Sequence, residues 1–126
     1  MSRVGAITLF VEDPARSRSF YERAFEHDAV YEDESSAVFE LGDTLLNLLA
    51  ASAAGELIEP AAVAAPDVGA RFMLTIWVDD ADAACARLEA NGVRVLNGPV
   101  DRPWGKRTAA FTDPDGNVWE LAQDIS

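Results

Sequence analysis

Residues 101–123 read DRPWGKRTAAFTDPDGNVWELAQ, two alternating segments joined by an acidic turn. Asp113-Pro114-Asp115-Gly116 has the residue types that a type I turn favours at its first, second and fourth positions. RTAAFT before it and NVWELAQ after it alternate with period two, so the stretch is predicted to be a β-hairpin. It is not a calcium loop, because its Gly comes two positions too early and its Glu far too close for an EF-hand. One acid, Glu120, lies among apolar neighbours in the second strand. A metal ligand, a general base and a residue without a role are all open readings of it until its face is known.

The pattern continues upstream. VRVLNG (93–98) reads as a strand, DDADAACARLEANG (79–92) as a helix capped by Asp79 or Asp80 and ended by Gly92, and FMLTIWV (72–78) as a strand. The first half repeats this order. VGAITLFV (4–11) is a strand, and Asp13 is an N-cap with Pro14 at the first helical position. Phe20, Tyr21, Ala24 and Phe25 then give a helix ending near His27. Strands follow at about 28–33, 36–41 and 44–50, the last two joined by Gly42-Asp43. Val11-Glu12-Asp13 falls over Val78-Asp79-Asp80 at an offset of about 67, and GDTLLNLL over DGNVWELA at about 73. Between the halves, residues 51–70 are rich in Ala, Pro and Gly without a strand period. They read as a linker, with at most one helical turn between Pro60 and Pro66.

At 126 residues the chain is expected to be a single domain, with module 1 at about 1–50, the linker at 51–70 and module 2 at about 71–126. Each half is too small to be stable alone, so the modules pack together, within one chain or by exchange between two. A 49% hydrophobic content with 25% charged residues is that of an ordinary globular protein. No apolar run approaches the ~20 residues of a membrane helix, and MSRVGAITLF lacks a signal-peptide core. The expected compartment is the cytoplasm. A single cysteine, Cys85, excludes an internal disulfide and falls on the apolar stripe of its helix, where packing explains it better than nucleophilic catalysis. The net charge of −12 argues against nucleic acid and anionic membrane as partners. Those acids either keep the chain soluble or draw in a cationic ligand.

Paired βαβββ modules, the junction VEDPARSRSFY, the PWG turn and the terminal DPDGN-x-WEL together resemble the glyoxalase / bleomycin-resistance / extradiol-dioxygenase superfamily, also called vicinal oxygen chelate. The resemblance covers nearly the whole chain and is most specific over 9–21 and 101–123. It implies an α+β fold in which two βαβββ modules form an open eight-stranded barrel-like sheet with helices outside. It also implies a homodimer and a small-molecule cleft within the curved sheet.

In metal-using members of that superfamily the ligands stand on the first and last strand of each module. The matching positions here are Ala6, Asn47, Met73 and Glu120. One carboxylate and one amide facing a methyl and a thioether do not supply the three or four donors a transition metal takes. The lone His27 falls at a helix end, outside the cleft. No metal and no cofactor is therefore expected, and metal-dependent glyoxalase or dioxygenase activity is not. Strand alternation directs Thr8, Phe10, Asn47, Leu49, Met73, Thr75 and Trp77 toward the cleft together with Glu120. For Met73 and Trp77 the alternative is inward packing of an empty barrel. Trp104 resembles the tryptophan at the mouth of the drug groove in bleomycin-binding proteins. Arg102, Lys106 and Arg107 would pair with surface acids or with an anionic ligand group, and Arg107 completes the candidate ligand-binding set.

Two functions follow. The first is a metal-free protein that binds or sequesters a small organic compound, aromatic or cationic, such as an antibiotic. The alternative is a lyase or isomerase using Glu120 as general base, with or without a weakly held divalent metal.

Overall fold

Asp13 caps the first helix, α1 (Pro14–Phe25), by accepting the amide of Arg16 at 3.2 Å. Asp80 does the same for α3 (Ala81–Ala90), accepting the amide of Ala83 at 3.0 Å. Each carboxylate satisfies an amide that the first helical turn leaves unpaired, which is why both helices begin where the acids stand.

The computed structural model describes residues 2–126, which divide into two units, 2–68 and Gly69–Ser126. In the first unit, α1 follows β1 (Ala6–Val11) and precedes β2 (Tyr31–Glu32), β3 (Ser36–Leu41), β4 (Thr44–Ala50) and α2 (Ala51–Ile58). In the second, α3 follows β5 (Met73–Trp77) and precedes β6 (Val95–Arg102), β7 (Lys106–Thr112) and β8 (Val118–Asp124). Their strand orders, β1-β4-β3-β2 and β5-β8-β7-β6, are the same order twice, with the first and last strand of each parallel and the other pairs antiparallel. The architecture is α+β, and its eight strands form two four-stranded mixed sheets that are not closed into a barrel.

Period-two alternation gives each sheet a helix face and an open face. In the first unit Leu9, Val11, Phe39, Leu46 and Leu48 are buried with Phe20 and Tyr21 of α1. The Tyr21 ring lies 6.1 Å from that of Phe39 and 5.2 Å from that of Phe25. In the second unit Ala109, Phe111, Trp119 and Leu121 are buried with Ala81, Cys85 and Leu88 of α3. Phe111 and Trp119 stack at 6.3 Å. Burying each such large side chain contributes about 1.5–3 kcal/mol. Burial also pushes the Cys85 thiol up from its ordinary range.

The expected linker contains a helix. Residues 51–58, ASAAGELI, form α2, with Ala54 buried and the helix touching β4 and β1. Alanine has the strongest helix preference, and the helix stops before Pro60 because Glu59 must be extended (ψ 144°) ahead of a proline. β2 is shorter than expected, since the Asp33 carboxylate accepts the amides of Ser35 and Ser36 at 2.9 Å and turns the chain there. α1 ends at Phe25 with Glu26 left-handed (φ 60°), and the exposed His27 stacks on Phe25 at 5.9 Å, beside the aromatic cluster of the helix face.

Candidate functional site

β8 lies between β5 and β7, and its register with both draws rows across the open face of the second sheet. Thr75, Glu120 and Ala110 form one row and Trp77, Ala122 and Thr108 the next. Met73, Thr75 and Trp77 thus share a face with Glu120. Met73 is 50% exposed and Trp77 73% exposed. Thr75 Oγ1 donates to Glu120 Oε1 at 3.0 Å, which fixes one carboxylate oxygen and leaves the other unassigned among the described residues.

Three cations flank this sheet. The Lys106 ammonium lies 5.5 Å from the Trp77 ring centroid and 3.7 Å from Asp124. Because β8 separates β7 from β5, that contact carries the lysine across β8 and holds the indole by a cation–π attraction. Arg102 lies on the same face, donating from Nε to Thr108 Oγ1 at 3.0 Å and from Nη2 to Asn97 Oδ1 at 3.4 Å.

Arg107 lies elsewhere, and of its two expected partners, surface acids or an anionic ligand group, the structure shows the acids. It forks onto Asp82 of α3 through Nε and Nη2, both at 3.0 Å, and reaches Asp101 through Nη1 at 2.8 Å. Those acids push the guanidinium further above its ordinary range, and the guanidinium in turn holds the Asp82 carboxyl below its own. The reason is parity. Arg102 and Lys106 are register partners across the turn and share one face, so Arg107, one residue on, points to the helix side with Ala109 and Phe111.

The turn itself is closed by the Gly105 amide donating to the Arg102 carbonyl at 3.2 Å, with Gly105 left-handed at φ 82°. The Ile125 amide donates to the Gly105 carbonyl at 3.0 Å, tying the turn to the end of the chain. Trp104 within it is 65% exposed. At the hairpin's other end, Asp113 is buried and accepts the amides of Asp115 and Asn117 at 2.9 and 2.8 Å and the Asn117 side chain at 2.9 Å. This is turn chemistry.

The open face of the first sheet carries Ala6, Thr8 and Phe10 on β1 in register with Leu45, Asn47 and Leu49 on β4. Asn47 Nδ2 donates to Thr8 Oγ1 at 3.5 Å, while Phe10 and Leu49 are half-buried. The positions that resemblance assigns to a metal are Ala6 and Asn47 on this sheet, and Met73 and Glu120 on the other. They do not fit a transition-metal ion, and among the described residues no three or more His, Cys, Asp or Glu side chains gather to hold one.

Comparison with known proteins gives a consistent picture. The family model described as Glyoxalase/Bleomycin resistance protein/Dioxygenase superfamily matches residues 3–121. The uncharacterized protein YraH of Bacillus subtilis (strain 168) is 32% identical over 124 residues, covering 91% of this chain and 93% of its own. Among solved structures, a glyoxalase/bleomycin resistance protein/dioxygenase from Nocardioides superposes with a TM-score of 0.88 at 25% identity, covering all of this chain and 85% of that one. TnmS3, an antibiotic binding protein from Streptomyces sp. CB03234, superposes with a TM-score of 0.70 at 31% identity, covering 98% and 97%.

Proposed function

The chain belongs to the Glyoxalase/Bleomycin resistance protein/Dioxygenase superfamily, and from that premise we propose that it binds a small, flat organic compound without a metal. The observation that carries this reading is the open face of the second sheet, where Met73 and the largely exposed Trp77 flank the Thr75–Glu120 pair. Large apolar side chains held in water on a scaffold already packed on its other face are what a stacking surface requires. The exposed Trp104 supplies a second indole in the β6–β7 turn. Thr8, Phe10, Asn47 and Leu49 give the first sheet the same kind of mixed surface. The antibiotic-binding relative supports a sequestering role of this type. We assign the protein to the cytoplasm and to a homodimeric assembly on the same reading.

Titrating the protein with a panel of aromatic antibiotics while following tryptophan emission tests it directly. The expected result is saturable quenching below about millimolar ligand that weakens at least tenfold in Trp77→Ala. Unchanged emission across the panel would reject a binding role.

A lyase or isomerase reading has one observation in its favour, the hydrogen bond that orients Glu120 while leaving its second oxygen to abstract a proton. Under that reading Glu120→Gln abolishes turnover of a bound carbonyl compound yet retains its binding. Full turnover by that variant would eliminate the idea.

A further inference from the structure

Arg102 stands apart from the other cations of its hairpin. Arg107 forks onto Asp82 and pairs with Asp101, and Lys106 has Asp124 and the Trp77 ring. Arg102 is held only by neutral acceptors, the Thr108 hydroxyl and the Asn97 amide oxygen, and among the described residues no carboxylate lies within ion-pair distance of it. A guanidinium has five N–H donors, so two are used to fix its plane and three are unspent. The guanidinium is thus oriented without being neutralised, in a chain with 22 acids and 10 bases.

The surroundings give the site a direction. Arg102 and Asn97 are on β6, Thr108 and Ala110 on β7, and Glu120 on β8. Ala110 is the register partner of both Asn97 and Glu120, so the floor between the Asn97 amide that holds the guanidinium and the Glu120 carboxylate is one small side chain. Two strand spacings, about 10 Å, separate β6 from β8. Across that distance the face offers a donor-only cation at one end and an acceptor-only carboxylate, already held by Thr75, at the other. Met73 and Trp77 on β5 lie beyond Glu120 as apolar surface.

We infer that Arg102 anchors an anionic group, so that the ligand of this face is an aromatic acid bearing a hydroxyl or amino donor at its far end. This deepens the binding reading above and rests on it. It also runs against what the net charge of −12 suggests, because this face sets an un-neutralised guanidinium opposite the Glu120 carboxylate although the chain as a whole is acidic. Carboxylate recognition by a planar guanidinium is bidentate and distinguishes the anion from its neutral isostere.

The test compares 6-hydroxy-2-naphthoate with the uncharged 6-hydroxy-2-naphthamide, each titrated by tryptophan emission and by calorimetry. The intact protein is expected to bind the acid at least tenfold more tightly than the amide. Arg102→Gln should bring the acid down to the affinity of the amide while leaving amide binding within twofold, which also reports that the variant is folded. Arg107→Gln, on the helix side, should keep the preference for the acid. Equal affinity for acid and amide in the intact protein, or a preference that survives Arg102→Gln, overturns the anion anchor alone and leaves the aromatic surface standing. Failure of both probes to bind below about millimolar overturns the aromatic surface and the anchor together.

Discussion

Single side chains in this protein are tuned mostly by hydrogen bonds at turns, and Asp33 shows how far. The Tyr31 hydroxyl donates to it at 2.7 Å, followed in effect by the Ser35 amide and the Ser36 hydroxyl, and together they lower its pKa from 3.8 to about 2. A carboxylate whose folded value is depressed contributes stability above its unfolded value, and that contribution is lost as the pH falls through the folded one. The β2–β3 turn should therefore hold in full above about pH 4 and loosen only as the pH approaches 2. A carboxyl carbon NMR titration is expected to show the Asp33 midpoint near 2, moving toward 3.8 in Tyr31→Phe. A midpoint near 3.8 in the intact protein would contradict this account. The same hydrogen bond and the Asp33 charge raise the Tyr31 phenol from its ordinary value.

Among the elements, β6 is the irregular one, with register shifts against β7 on either side of Asn97. Gly98 lies in this bulge at φ +82°, and a Cβ there would meet the Thr108 carbonyl and come within 2.8 Å of Ala109 Cα. Gly98→Ala is expected to cost about 2 kcal/mol or more, since it adds backbone strain to a clash with backbone atoms that cannot swing away. Gly5→Ala, with nothing near the added carbon, should be close to neutral. Urea denaturation midpoints compare the two, and an unshifted midpoint for Gly98→Ala would contradict the bulge geometry. The element scale also shows what was legible in the sequence. Alternation in AITLFV and VWELAQD assigned Glu120 and Thr8 to the open faces, because the flanking Trp119, Leu121, Leu9 and Val11 are large and apolar enough to fix the helix face. The α2 helix was hidden by composition. Gly55 and the prolines at 60 and 66 read as a linker, and the helix preference of the alanines prevails at 51–58 where Ala54 is buried and the segment touches β4 and β1. The partners of Arg107 are a different case. Its face is legible from Phe111, four residues on and of the same parity, but which acids meet it there depends on how the fold places α3 and β6. The unpaired state of Arg102 had no signal in sequence at all, because it depends on which acids the fold brings near.

Taken whole, the molecule repeats one strand order in two units and leaves an open face on each sheet. On those faces Leu45, Met73 and Trp77 are 42%, 50% and 73% exposed, and Tyr31 of β2 is 54% exposed. That much apolar surface in water favours association, while a charge of −12 on each copy opposes it. Sedimentation equilibrium is expected to give twice the 13.6 kDa chain mass, with tighter association at about 0.5 M than at about 0.05 M salt as the repulsion is screened. A chain that stays monomeric at both ionic strengths would contradict the proposed dimer.

The length of the Pro103–Gly105 turn carries a further consequence for how this protein can change over generations. Loops usually absorb insertions and deletions freely, but here three residues set the parity of all of β7. Losing or gaining one would exchange Arg107 with Lys106 and pull Phe111 away from Trp119, since a one-residue slip turns every side chain of a strand over. The proposed ligand face can therefore vary in this hairpin by replacing residues, at Trp104 or Arg102 for instance, whereas a single inserted or deleted codon would disrupt that proposed face and the core behind it together.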